Sequence, residues 1–352
     1  VPDDIRIRRE GRAGRITLMR PKALNALSYP MCLAIEAALE EWRGDDRIAL
    51  VLIDAAGDKA FCAGGDIQDL YEHGRAGDFA YGQQFWRDEY RLNAKIATYP
   101  KPYVALMQGF TMGGGVGISC HGSHRIVGDS SRIAMPECGI GLVPDVGGSL
   151  LLARAPGHLG EYLALTAARM EAGDAIYAGF ADIYVPELKW PALCAALSDT
   201  GDVSVITNYA APAPTARLRR KQDWIDRHFS AATLAEIARS VQDEADTAAL
   251  GGAEDVRKAM RRNSPLSMAV AVEMLQRLRR ERANIRAALD LEFRYTFRAQ
   301  EQADFLEGIR AAIIDKDRAP RWLHAGAEAV PAEDIAALLA PLGDNALNLK
   351  EK

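Results

Sequence analysis

The stretch Pro102-Tyr-Val-Ala-Leu-Met-Gln-Gly-Phe-Thr-Met-Gly-Gly-Gly-Val-Gly117 passes from an unbroken apolar run to a cluster of glycines. An apolar run of this length without alternation predicts a strand covered on both faces, the habit of parallel sheets. Glycines that follow such a strand and open a helix leave unsatisfied N–H groups facing outward at its end. Upstream, Ile48-Ala-Leu-Val-Leu-Ile53 repeats the apolar run, and Phe61-Cys-Ala-Gly-Gly-Asp-Ile67 supplies the second glycine cluster. Between them the sequence predicts a loop over Ala55 to Gly65 and, after it, a long helix around Phe79 to Ala97. Downstream the alternation returns through Arg125 to Met135. Strands alternating with helices predict a parallel α/β core.

Ile5 to Met19 reads as a hairpin turning at Gly11 and Gly14. Ser28 caps a helix over Tyr29 to Trp42, with Pro30 tolerated in its first turn. After about Val185 the composition shifts, and Asp199 to Arg217, rich in Ser, Thr, Asp, Ala and Pro, reads as a linker or long surface connection. Helices dominate beyond it. Ser264-Pro265 opens one with a cap and an N1 proline, and Asn284 to Ala299 carries Ile285, Leu289, Glu292, Phe293 and Thr296 at helical spacing. This divides the chain into a core over 1–200 and a mainly helical region over 201–352.

The 352 residues are 49% hydrophobic and 26% charged, a balance that supports a sizeable buried core, and the net charge of −5 gives no general attraction to nucleic acid. Apolar runs fall short of the roughly 20 residues of a membrane helix, so neither a nucleic-acid nor a membrane partner is expected. Cys32, Cys62, Cys120, Cys138 and Cys194 form no C-x-x-C pair, which points to neither disulfides nor a metal centre and fits a reducing, cytoplasmic setting. Cys120 beside His121 reads as packing rather than a nucleophile. Gly117-Ile-Ser-Cys-His121 lacks the final glycine of a nucleophile elbow, and neither a P-loop nor G-x-G-x-x-G occurs.

The third glycine segment, Met135-Pro-Glu-Cys-Gly-Ile-Gly-Leu-Val-Pro-Asp-Val-Gly-Gly148, holds two acids eight residues apart, Glu137 and Asp145. Two carboxylates with different environments can divide base or nucleophile work from proton delivery. If two glycine-bearing strand ends meet, one N–H from each can stabilise charge on a carbonyl oxygen. Taken singly, each glycine run also reads as a tight turn, and each acid as a surface carboxylate.

The three segments in this order, with Arg20-Pro-Lys-Ala-Leu-Asn-Ala26 before them, resemble the crotonase superfamily of acyl-CoA enzymes. Phe85-Trp-Arg-Asp-Glu-Tyr90, Ala134-Met-Pro-Glu137, Pro144-Asp-Val-Gly-Gly148 and Asp304-Phe-Leu-Glu-Gly-Ile-Arg-Ala-Ala-Ile-Ile-Asp-Lys-Asp317 are most similar to its 3-hydroxyisobutyryl-CoA hydrolase branch. The resemblance implies a spiral of ββα units with a helical C-terminal region that covers the site or supports contacts between copies, as in a homo-oligomer. It implies an oxyanion hole from Gly65 and Gly114, catalytic acids Glu137 and Asp145, Glu89 at the polar end of the acyl group, and Lys22 in the segment lining CoA. It implies no metal and no cofactor apart from the CoA carried by the substrate. In a eukaryotic setting it implies the mitochondrial matrix.

Enoyl-CoA hydratases carry a second glutamate two residues after the third glycine of the triplet, where this chain has Gly117. Asp145 replaces a residue that is usually glycine in the hydratases. Both differences match the hydrolase branch and imply cleavage of a short, branched hydroxyacyl-CoA thioester, with Glu137 as nucleophile or as base toward water. An enoyl-CoA hydratase or isomerase of unusual composition and a non-catalytic CoA-binding scaffold are the alternatives.

Overall fold

The computed structural model describes residues 3–244 and 252–349. In chain order the strands are β1 (Ile5–Glu10), β2 (Ala13–Leu18), β3 (Leu50–Ala55), β4 (Ala60–Cys62), β5 (Tyr103–Met107), β6 (Phe110–Met112), β7 (His124–Val127), β8 (Arg132–Ala134) and β9 (Ile183–Tyr184). The helices are α1 (Tyr29–Arg43), α2 (Gln68–Arg75), α3 (Phe79–Ala97), α4 (Gly114–Ser119), α5 (Gly148–Arg154), α6 (Leu159–Thr166), α7 (Ala172–Tyr177) and α8 (Trp190–Thr200). They continue with α9 (Gln222–Phe229), α10 (Leu234–Gln242), α11 (Ala253–Arg262), α12 (Pro265–Arg280), α13 (Ile285–Gln302), α14 (Phe305–Ile309) and α15 (Ala332–Leu338).

Two compact units share the chain. The first takes the residues up to Asp66, Asp88–Ala134 and Arg169–Arg217; the second takes Ile67–Arg87, Met135–Ala168 and the chain from Leu218 onward. Helix α3 gives its first half to the second unit and the rest to the first.

The first unit is built on a six-stranded sheet in the order β1-β2-β3-β5-β7-β9, beside a three-stranded sheet β4-β6-β8. Only the β1–β2 hairpin is antiparallel in the large sheet. Each of β3, β5 and β7 is followed by one strand of the small sheet, so the repeating element is two strands, with a helix after the first two pairs. The apolar runs at β3 and β5 are buried on both faces, as their unbroken composition predicts. Register places Leu52 beside Val104 and Leu106 beside Ile126, a continuous apolar face that packs against Leu193, Cys194 and Leu197 of α8. Strand β4 lies inside the expected 55–65 loop. Three residues carry too little pattern to announce it.

The Asp199–Arg217 segment is a long surface connection, as read, but one with an anchor. Its 3₁₀ helix Val203–Asn208 is capped by Asp202, whose carboxylate accepts from the Ser204 N–H at 2.8 Å, and Ile206 is buried in the same core as α8. The surrounding polar residues hide these few apolar anchors from a reading by period.

The second unit is helical. Helix α12 is buried on nearly every side, and Ser264 caps it as read from the sequence, its hydroxyl accepting from the Ser267 N–H at 3.0 Å with Pro265 in the first turn. Asn284 caps α13 in the same way, accepting from Ala287 N–H at 3.0 Å. Among the described residues, no helix is long and apolar enough to cross a membrane.

Candidate active site

In the first unit the glycine clusters meet. Asn25, held at φ +54°, ties the Arg20–Ala26 segment to the sheet: its amide donates to the carbonyls of Ala56 and Ala60 at 2.9 and 2.8 Å. Arg20 pairs with Asp66 at 2.9 Å. The Leu27 N–H donates to Gly64 O and the Asp66 N–H to Leu27 O, which passes over the N–H of Gly65. On the other side Gly113, at φ +48° and ψ −118°, makes a turn open to glycine alone, and Gly114 begins α4. A Cβ on Gly115 would stand 2.3 Å from Cys62 O, so α4 starts flush against β4.

A Cβ on Gly114 would stand 3.3 Å from the Gly65 nitrogen and 3.1 Å from a carboxylate oxygen of Glu89. Gly65, Gly114 and Glu89 are therefore neighbours, and Glu89, on α3, is buried. Neither the Gly65 nor the Gly114 N–H donates to a protein acceptor among the described residues. Two such donors side by side can receive one oxyanion. Lys22 is exposed on the Pro21–Ala23 turn.

Glu137 and Asp145 belong to the second unit, and both are 4% exposed. The surface-acid alternative falls at this point. Glu137 opens a 3₁₀ turn, Glu137–Ile140, closed by Gly141 at φ +73° and by the Leu142 N–H donating to Glu137 O at 3.0 Å. The C-terminal helices hold this turn. Ser264 N–H donates to Cys138 O at 2.9 Å, and the Tyr295 hydroxyl donates to Gly141 O at 3.0 Å. Burial and the Glu137 charge push the Cys138 thiol up, which keeps it an uncharged neighbour of the acid.

The late Asp304–Asp317 motif proves structural. Asp304 accepts from the Ser264 hydroxyl at 2.6 Å and from Leu323 N–H at 2.8 Å, while Arg310 binds Glu307, Asp315 and Asp317. Sequence reasoning named Ser264 only as a helix cap and Glu292 only as a position at helical spacing, and it missed the support of this turn by Tyr295 altogether. Glu292 had a signal, since it is an acid within the apolar stripe of a helix. The five cysteines are buried and free, and burial pushes the Cys120 thiol up to about 11, consistent with packing and not with a nucleophile.

The sequence profile of the enoyl-CoA hydratase/isomerase family matches residues 13–339. A 3-hydroxyisobutyryl-CoA hydrolase, mitochondrial, of Gallus gallus is 37% identical over 98% of this chain and 91% of its own length. The crystal structure of an enoyl-CoA hydratase from Rhodobacter sphaeroides is 59% identical, covers 98% of this chain and all of its own, and superposes with a TM-score of 0.93. A carnitinyl-CoA dehydratase from Mycobacterium thermoresistibile, 38% identical with full coverage of both chains, superposes with the same score. At this TM-score over nearly the whole chain both share the fold of this protein, the crotonase fold expected from the motifs. The chain belongs to the enoyl-CoA hydratase/isomerase family.

Proposed function

We propose that the protein hydrolyses a short, branched 3-hydroxyacyl-CoA thioester, 3-hydroxyisobutyryl-CoA in the first instance, to the free acid and CoA. The observation that carries this reading is Gly117. It lies inside α4 and is buried, and as a glycine it offers no side chain at the position that serves hydratases as a second acid. The similarity to 3-hydroxyisobutyryl-CoA hydrolases over nearly the whole chain supports the same reading.

In this mechanism the thioester oxygen accepts from the N–H groups of Gly65 and Gly114. Glu137 then acts in one of two ways. As a nucleophile, its carboxylate adds to the carbonyl carbon, the C–S bond breaks, CoA leaves as thiolate, and water cleaves the resulting anhydride. As a base, it takes a proton from water while the water oxygen forms the new C–O bond, and the tetrahedral intermediate then collapses with cleavage of the C–S bond and departure of CoA as thiolate. Asp145 positions Glu137 or the water and manages the proton that the departing thiolate takes up. Trapping with hydroxylamine separates the routes, because only the first forms an anhydride on the protein. Glu89 receives the acyl hydroxyl and Lys22 the nucleotide end of CoA. No cofactor beyond the CoA of the substrate enters.

The two similar solved structures are of an enoyl-CoA hydratase and a carnitinyl-CoA dehydratase, which makes hydration the second reading. Thiol release from 3-hydroxyisobutyryl-CoA, measured beside hydration of crotonyl-CoA, decides between them. Glu137→Gln keeps the shape and removes the charge, and it should abolish thiol release while acyl-CoA binding persists. Efficient hydration without thiol release, or a Glu137→Gln variant of normal turnover, would overturn the proposal.

A further inference from the structure

Asp145 stands at the head of a strained turn. Gly148 N–H donates to Asp145 O at 2.7 Å, and both central residues have positive φ: +53° at Val146 and +77° at Gly147. For glycine this is ordinary. For a β-branched residue it is an outlier of the kind that persists only when the surroundings enforce it. The enforcing group is Glu292 of α13, fully buried in the same unit. One of its carboxylate oxygens accepts from Gly147 N–H at 2.8 Å; the other accepts from Ser149 N–H at 3.2 Å and from the Ser149 hydroxyl.

We propose that Glu292 is the positioning residue of Asp145: by gripping Gly147 and Ser149 it locks the Asp145–Gly148 turn in the conformation that presents the Asp145 carboxylate for the reaction. Three donors on one carboxylate leave the turn little freedom to rotate. A carboxyl group fits because one of its oxygens faces the Gly147 N–H and the other the Ser149 N–H, whereas an amide would set an NH₂ against one of them. Burial and the charge of Asp145 push the Glu292 carboxyl well above its usual range, so the two acids sense each other electrically. A second buried acid beside Asp145 is costly for stability, and a positioning role gives it a reason to be there.

The inference rests on the reading of Asp145 as a participant in hydrolysis, and the experiment separates the two. Glu292→Gln sets an NH₂ group against at least one donor and should release the turn. In the full-length protein kcat should fall about 10²-fold, the scale of a misplaced catalytic group, with KM changed less than about threefold. Amide hydrogen exchange at Gly147 and Ser149 should accelerate while that of α12 is unchanged. Adding Val146→Gly, which accepts positive φ without strain, should restore about tenfold of kcat. Ser149→Ala, removing one donor and little volume, should show the same pattern more weakly and serves if Glu292→Gln does not fold. Unchanged exchange at Gly147 and Ser149, or a folded variant with wild-type kcat, overturns the proposal. Asp145→Asn, run in parallel, tests the hydrolytic role itself; if it keeps full turnover, that role fails, and the exchange data still decide whether Glu292 holds the turn.

Discussion

Gly308 lies so close to Ile140 that a Cβ at 308 would stand 2.1 Å from the Ile140 carbonyl oxygen. Helix α14 thus presses directly on the turn that begins with Glu137. Backbone cannot yield as a flexible side-chain tip can. Gly308→Ala should therefore cost about 1–3 kcal/mol of stability and displace the turn. Thermal unfolding and thiol release should fall together; an alanine variant with unchanged Tm and turnover would show that α14 moves aside freely.

Gly114 offers a tighter test of the oxyanion donors. A side chain there meets Glu89 and the Gly65 amide at distances shorter than ordinary contact. Gly114→Val should cost about 3 kcal/mol of transition-state stabilisation, the scale of one lost oxyanion donor, in a protein that still folds. Circular dichroism checks the fold, and kcat/KM for thiol release checks the loss. Near wild-type turnover in the folded variant removes these amides from the mechanism.

Glu89 should discriminate substrates. If it is the partner of the acyl hydroxyl, as proposed, its loss in Glu89→Ala should slow 3-hydroxyisobutyryl-CoA by about tenfold or more beyond any effect on isobutyryl-CoA. Equal slowing of both esters would place Glu89 in support of Gly114 rather than in substrate selection.

Stability should fall in acid partly through Glu161. Burial pushes its carboxyl up, but the His158 ring nitrogen at 3.5 Å and hydrogen bonds from Arg279 at 2.7 and 3.1 Å outweigh this and leave it below its ordinary 4.5. A lowered folded value means stabilisation that is present above 4.5 and lost as pH falls through the folded value. Glu161→Gln should be less stable by about 2 kcal/mol near neutral pH, a moderate figure because Arg279 reaches solvent. The Tm gap to wild type should close on going from about pH 7 to about pH 3. A constant gap would assign the loss to packing.

The parts of this fold legible in the sequence were those with strong local pattern. The unbroken runs at β3 and β5, the helix over Phe79 to Ala97 and the Ser264-Pro265 cap stand as read, because burial, period and capping act within a few residues. β4 escaped, since three residues have no period, and Ile206 was hidden in a polar tract. At the site, the glycines and acids were visible as residue types. Their supports were not: Tyr295 to Gly141 is a contact across 154 residues, and no local pattern encodes such a bond. Glu292 is the intermediate case, visible as an oddity in an apolar stripe but without its purpose.

The distance along the chain between the two acids and their supports also sets a schedule. Glu137 and Asp145 leave the ribosome early, whereas Glu292 follows 145 residues after the Gly147 it must hold. At about 5–20 residues per second, the acids wait roughly 7–30 seconds for the helices that fix them. During synthesis, the Gly65 and Gly114 strand ends and both acids already exist as nascent polypeptide while the turns that aim the acids are still unsupported. On the proposed function, thioester cleavage would be withheld until α13 and α14 emerge, and a ribosome that stalls before them would carry an inert chain rather than a partly active one.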